Sequence, residues 1–151
     1  MVLIKNEQNS REVNTTQLQK DAQALLELLD YADFDLGILL ATDEEIHELN
    51  KKFRHKDKPT DILSFPFFPH LKAGQRIEVA SEDEKNLGDI VIAPNYVYTT
   101  LDQWDTSFDE RMRVLLVHGI CHLLGYDHIK DEDYEVMKKQ EEFLLNALKH
   151  Q

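Results

Sequence analysis

Cysteine is nearly absent: 151 residues contain one, Cys121, so no intrachain disulfide framework is available. That agrees with a reducing compartment. No apolar run approaches the roughly twenty residues that cross a bilayer, and the first residues lack the apolar core of a secretory signal. The expectation is a cytoplasmic protein with no membrane part. With five glycines and four prolines, no linker, repeat or low-complexity tract stands out, and one domain over residues 1–151 is expected. Positive charge is also scarce. Seventeen Lys and Arg face 29 Asp and Glu, for a formal net charge of −12 and a pI near 4.9. A general nucleic-acid footprint is basic, so broad contact with DNA is not expected. Contact with RNA needs a local positive patch or a partner that presents it. Much of the acid lies in Glu78 to Glu84 and Asp131 to Glu142, which allows faces of different sign. Binding is expected to be modest and salt-sensitive.

The chain is ordinary for a globular protein, with 42% hydrophobic and 30% charged residues. It is long enough to bury a core without staples. Val2 to Lys5 reads as a short strand. Leu18, Ala22, Leu25, Leu26 and Leu29 recur at helical spacing, and Leu36 to Ala41 is a compact apolar strand. Thr42 with Glu45 is a capping box opening a helix to about Phe53. With a strand from Asp61 to Phe67, this predicts a βαβ unit with a right-handed crossover. Phe68 to Leu87 has no clear period and predicts a mobile or functional connection. Gly88 to Ala93 resumes as a strand, expected antiparallel to a neighbour. Pro94 opens a helix ending near Trp104, and Ser107 with Glu110 is a second capping box. A last helix runs from Asp131 to Lys149, with a stripe of Tyr134, Met137, Leu144, Leu145 and Leu148. The fold class is α+β: about four strands, mostly parallel with one reversed, and about five helices.

Chemistry concentrates in His118-Gly-Ile-Cys-His-Leu-Leu-Gly-Tyr-Asp-His128. His118 and His122 are four apart at the end of an apolar helical stretch, Ser107 to Leu124, so their rings share one face. Gly125 stands where a helix takes a left-handed stop, which allows His128 to return to the same point. Three neutral imidazoles leave a fourth tetrahedral position for water, the arrangement of a catalytic zinc site. A His triple at these spacings arises by chance in roughly one or two chains per hundred of this composition, and the added glycine makes chance rarer still. The bland alternative is two helix-face histidines and an unrelated loop histidine. Cys121 is expected to be a small core residue rather than a fourth ligand, because its helical direction differs from that of His118 by about 60°. The spacing matches metzincin peptidases, whose general base follows the first histidine. Here that residue is Gly119, so the proteolytic base is missing.

Lys51 to Lys58 carries five basic residues within eight positions. Cations on a helix C-terminal turn are common for dipole reasons alone. Arg54 is the stronger functional candidate, because a guanidinium can hold a phosphate bidentately and stabilise charge developing on phosphorus. Lys56 and Lys58 are candidate RNA contacts beside it. Asp127 could orient a ligand or serve as a turn residue. Asp89 could reach the site indirectly or be a surface carboxylate.

Three stretches, Phe53-Arg-His-Lys-Asp-Lys-Pro-Thr-Asp-Ile-Leu-Ser-Phe-Pro66, Leu87-Gly-Asp-Ile-Val-Ile92 and the His118 to His128 segment, resemble the YbeY family of bacterial rRNA-maturation endoribonucleases. The resemblance covers essentially the whole chain. It implies a single-strand-specific, metal-dependent endoribonuclease acting on 16S rRNA ends and in ribosome quality control, with the small ribosomal subunit as partner. By position, His118, His122 and His128 are the ligands of one zinc or another divalent transition metal, and Arg54 is the catalytic or RNA-contacting arginine. His55 replaces a small residue common in relatives. Two routes are open: attack by metal-activated water or by the RNA 2′-OH. The rival readings are a zinc peptidase or small-molecule hydrolase, opposed by Gly119, and a ribosome-binding assembly factor whose metal is structural.

Overall fold

The computed structural model describes residues 1–150 and is an α+β fold of four strands and five α-helices. Its elements in order are β1 (Val2–Asn6), α1 (Thr15–Leu28), β2 (Asp35–Leu40), α2 (Asp43–Arg54), β3 (Ile62–Pro66), β4 (Asn86–Ile92), α3 (Pro94–Thr99), α4 (Phe108–Leu123) and α5 (Asp131–Lys149). The sheet order is β1-β2-β4-β3. β1, β2 and β4 run parallel, and β3 alone is reversed against β4.

Alternation along the strands divides the sheet into two faces. Leu36, Ile38, Leu40, Ile90 and Ile92 join α1, α4 and α5 in the larger core. Leu63 and Val91 pack with Ile46 of α2 in a smaller cluster on the other face. On α4, Leu116, Val117, Ile120 and Cys121 are fully buried. Each such leucine or isoleucine contributes about 1.5–3 kcal/mol relative to exposure, which holds α4 firmly on the sheet.

Two sequence expectations need correction. The unit β2-α2-β3 is not a parallel βαβ crossover, because β3 is the reversed strand; the strand expected from Gly88 to Ala93, here β4, is antiparallel to that neighbour as expected. The physical reason lies just after α2. His55 stops that helix in the left-handed conformation, with φ 59°, a position glycine takes more easily than any other residue. The chain then doubles back along α2. Asp57 meets the His47 ring at 2.7 Å, and the Asn50 amide donates to the Lys58 carbonyl at 2.8 Å. Ile62 therefore starts β3 opposite Ile92, at the sheet end from which α2 departed. The helix expected to end near Trp104 instead stops at Thr99. The Thr99 and Thr100 hydroxyls both donate back to the Tyr96 carbonyl, competing with the helical pattern, and a short 3₁₀ turn follows over Leu101–Gln103.

The aperiodic stretch after Phe67 is tied to the body of the protein. Ile77 is buried and its amide donates to the Tyr31 hydroxyl. Arg76 lies over the Tyr31 ring and donates to the carbonyls of Leu29 and Asp30.

Candidate metal centre and its cleft

α4 begins where Ser107 accepts a hydrogen bond from the Glu110 amide, the forward half of the expected capping box. Sixteen residues later, the helix ends within two residues of His122. Gly125 has φ +93°, and a Cβ there would also run into the carbonyl of Leu71. Both facts demand glycine at that turn. The amides of Gly125 and Tyr126 bond back to the carbonyls of His122 and Cys121, and Asp127 accepts from the Ile129 amide at 3.2 Å. Asp127 thus shapes the turn that delivers His128.

The three rings come together. Centroids of His118 and His122 lie 4.5 Å apart, and that of His128 lies 5.6 and 5.2 Å from them. One ligand nitrogen from each falls within 4.8 Å of the other two, so the group can hold a metal ion. The Nε2 atoms of His118 and His122 face each other at 3.0 Å. Nitrogens on a tetrahedral zinc stand about 3.3 Å apart, given bonds of roughly 2.0–2.1 Å. That pair already has the required spacing, and exposed His128 sits on the turn beside it.

The sequence reading did not include Glu141. Its carboxylate on α5 lies 3.0 Å from Nδ1 of His118. An ionised carboxylate only accepts, so Nδ1 carries the proton and the Nε2 lone pair turns inward to the metal position. Carboxylate-histidine-metal arrangements of this kind fix ring orientation and strengthen the ligand. A signal was present: Glu141 stands four after Met137 and three before Leu144, on the buried stripe of α5. Glu141→Gln should weaken zinc binding by about ten- to a hundredfold, measurable by competition with a chelating indicator.

Burial of His122, followed by repulsion from His118 and His128, lowers its pKa to about 4. Its ring is therefore neutral at pH 7, as a ligand must be. Cys121 is buried, and burial with the nearby Glu141 charge pushes its thiol up to about 12. It remains a neutral core residue, as expected, and among the described residues the histidine group contains no fourth side chain.

The rings open into a cleft of about 720 Å³, walled by Phe53, Arg54, Thr60 to Pro66 and Asp127 to Ile129. Arg54 is exposed at the end of α2 and makes no ion pair or side-chain hydrogen bond among the described residues. Lys56 and Lys58 are exposed on the returning loop but do not line the cleft. Asp61, which does, is paired with Arg111 at 3.3 Å. Asp89 is exposed and sits over Gly37, on the sheet face away from α4, beside its cross-strand partner Phe65. A Cβ on Gly119 would press against Ile90 and Ile62 at 2.9 and 3.0 Å. The position that carries a peptidase base therefore faces the sheet, and a side chain there would have to displace the tips of Ile90 and Ile62.

Fold and site together define a small α+β protein in which three histidines able to hold a metal ion line a cleft. A family model described as Endoribonuclease YbeY matches residues 3–149. Curated proteins named Endoribonuclease YbeY are similar along nearly the whole chain. The one from Homo sapiens is 31% identical, over 97% of this chain and 87% of its own. That from Clostridioides difficile is 32% identical, over 97% and 95%. That from Aquifex aeolicus is 37% identical, over 91% and 86%. The solution structure of TM1509 from Thermotoga maritima matches with a TM-score of 0.59 and 25% identity, covering 99% of this chain and 93% of that one. The chain belongs to the YbeY endoribonuclease family. No helix among the described residues is long and apolar enough to cross a membrane.

Proposed function

We propose that this protein is a zinc-dependent endoribonuclease, one domain over residues 1–151, that cuts single-stranded RNA. It acts in the cytoplasm on 16S rRNA ends and in ribosome quality control, in association with the small ribosomal subunit. The observation that carries this reading is the convergence of three histidines in the wall of a cleft that is also lined by an arginine unpaired among the described residues.

In this reading His118, His122 and His128 hold one ion. Zinc, when bound, supplies a Lewis acid that polarises a phosphoryl oxygen and makes water a stronger acid. The remaining work falls to the chain itself. Glu141 keeps the His118 ring aimed. Arg54 grips a non-bridging phosphate oxygen and offsets the negative charge that grows there as the phosphorus is attacked. Lys56 and Lys58, outside the cleft, contribute salt-sensitive attraction to RNA that lies beyond it. The peptidase reading fails for lack of a base, since Gly119 packs on the sheet.

The test is cleavage of one labelled RNA in single-stranded and duplex form. Purified protein should cut the single strand, lose that activity to a chelator and regain it on adding zinc. Intact RNA with chelator-sensitive peptide hydrolysis would contradict the proposal.

A further inference from the structure

The cleft also contains apolar side chains that folding leaves in water. Phe53 is 54% exposed and Ile129 is 86% exposed, and both line it. Large apolar groups clustered beside a functional cleft mark a binding surface. Phe53 is nevertheless held in place. Its ring meets Phe65 edge to face, with centroids 5.2 Å apart and planes at 71°, and Phe65 packs on the smaller core. Its neighbour in the chain is Arg54. The last turn of α2 thus presents to the same space a braced aromatic face and a guanidinium without a partner among the described residues, with the Lys52 ammonium 5.2 Å from the Phe53 ring centre.

A nucleotide joins a phosphate to a flat aromatic base. A phosphate-binding group next to an aromatic ring matches that pairing, and such rings hold single strands by stacking on any base. Within a duplex each base is already covered on both faces, so a ring gains a partner only by disrupting the stack.

We infer that Phe53, braced by Phe65, stacks on an unpaired nucleobase adjacent to the phosphodiester at the metal centre, with Ile129 packing against the same nucleotide. Phe53 is then the residue that favours single strands over duplexes. This inference rests on the ribonuclease reading proposed above.

The test compares wild type, Phe53→Ala, Phe53→Leu and Phe53→Trp. Each is assayed on a short single-stranded RNA and on the same RNA with abasic sugars flanking the cut. Zinc content and melting temperature are measured alongside, to show that the variants fold. Phe53→Ala should lose about ten- to a hundredfold in kcat/KM, mostly through KM. Phe53→Trp should restore it, and Phe53→Leu, apolar but without a π face, should not. Wild type should suffer a similar loss on abasic RNA, while Phe53→Ala should barely distinguish the two substrates. If wild type cuts no single-stranded RNA, the ribonuclease reading itself fails. If wild type cuts but is indifferent to abasic sugars, or Phe53→Leu matches Phe53→Trp, stacking is wrong and the ribonuclease reading stands.

Discussion

Arg54→Ala is expected to leave a folded, metal-loaded protein that cuts RNA about a hundred- to a thousandfold more slowly, the usual effect of deleting one group that stabilises transition-state charge. The side chain is exposed, and no ion pair among the described residues depends on it. Surface substitutions of this kind change stability by only about 0.5 kcal/mol. Folding and catalysis should therefore separate. Arg54→Lys should recover only part of the rate, because an ammonium keeps the charge but cannot make a bidentate contact. The measurement is kcat and KM on a single-stranded RNA, with zinc content and melting temperature determined on the same preparations. A protein whose role is ribosome binding around a structural metal would show a different pattern. Its Arg54→Ala variant would keep whatever cleavage wild type shows.

His122→Ala should have the larger effect. It removes one of the three proposed ligands, the half-buried ring that faces His118 at 3.0 Å. Two remaining imidazoles no longer define a tetrahedral site, so zinc should be lost on dialysis and cleavage should fall to background. Stability separates this loss from general unfolding. A metal present at about a hundred times its dissociation constant stabilises the fold by about 2.7 kcal/mol. Wild type should therefore melt at a lower temperature after chelation, and His122→Ala should melt at one temperature with or without chelator. A variant still loaded with zinc at one ion per chain would remove His122 from the proposed ligand set.

The parts legible from residue pattern alone were those governed by local rules. Thr42 and Glu45 form the reciprocal capping box, and α5 has the expected bounds, Asp131–Lys149. The convergence of His118, His122 and His128 follows from a four-residue spacing and a glycine that must turn left-handed, both short-range facts. What escaped depends on distant contacts. The reversal of β3 follows from the chain doubling back along α2, held by His47 with Asp57 and Asn50 with Lys58. The left-handed conformation of His55 that starts this return is hidden, because histidine does not announce it as glycine would. Glu141 sat in plain view on an apolar stripe, but its partner became clear only once α5 packed on α4. Lys56 and Lys58 lie close to Arg54 in the chain, yet the turn after α2 carries them away from the cleft walls. Charge density along a sequence does not say which charges face one space.

Zinc-edge X-ray absorption on the purified, zinc-loaded protein tests the convergence of three rings on one ion most directly. The expected spectrum shows three imidazole nitrogens and one light oxygen, at about 2.0–2.1 Å, and no sulfur. A fourth protein ligand in place of that oxygen, or a sulfur shell near 2.3 Å, would close the corner that faces the cleft and contradict a hydrolytic centre there.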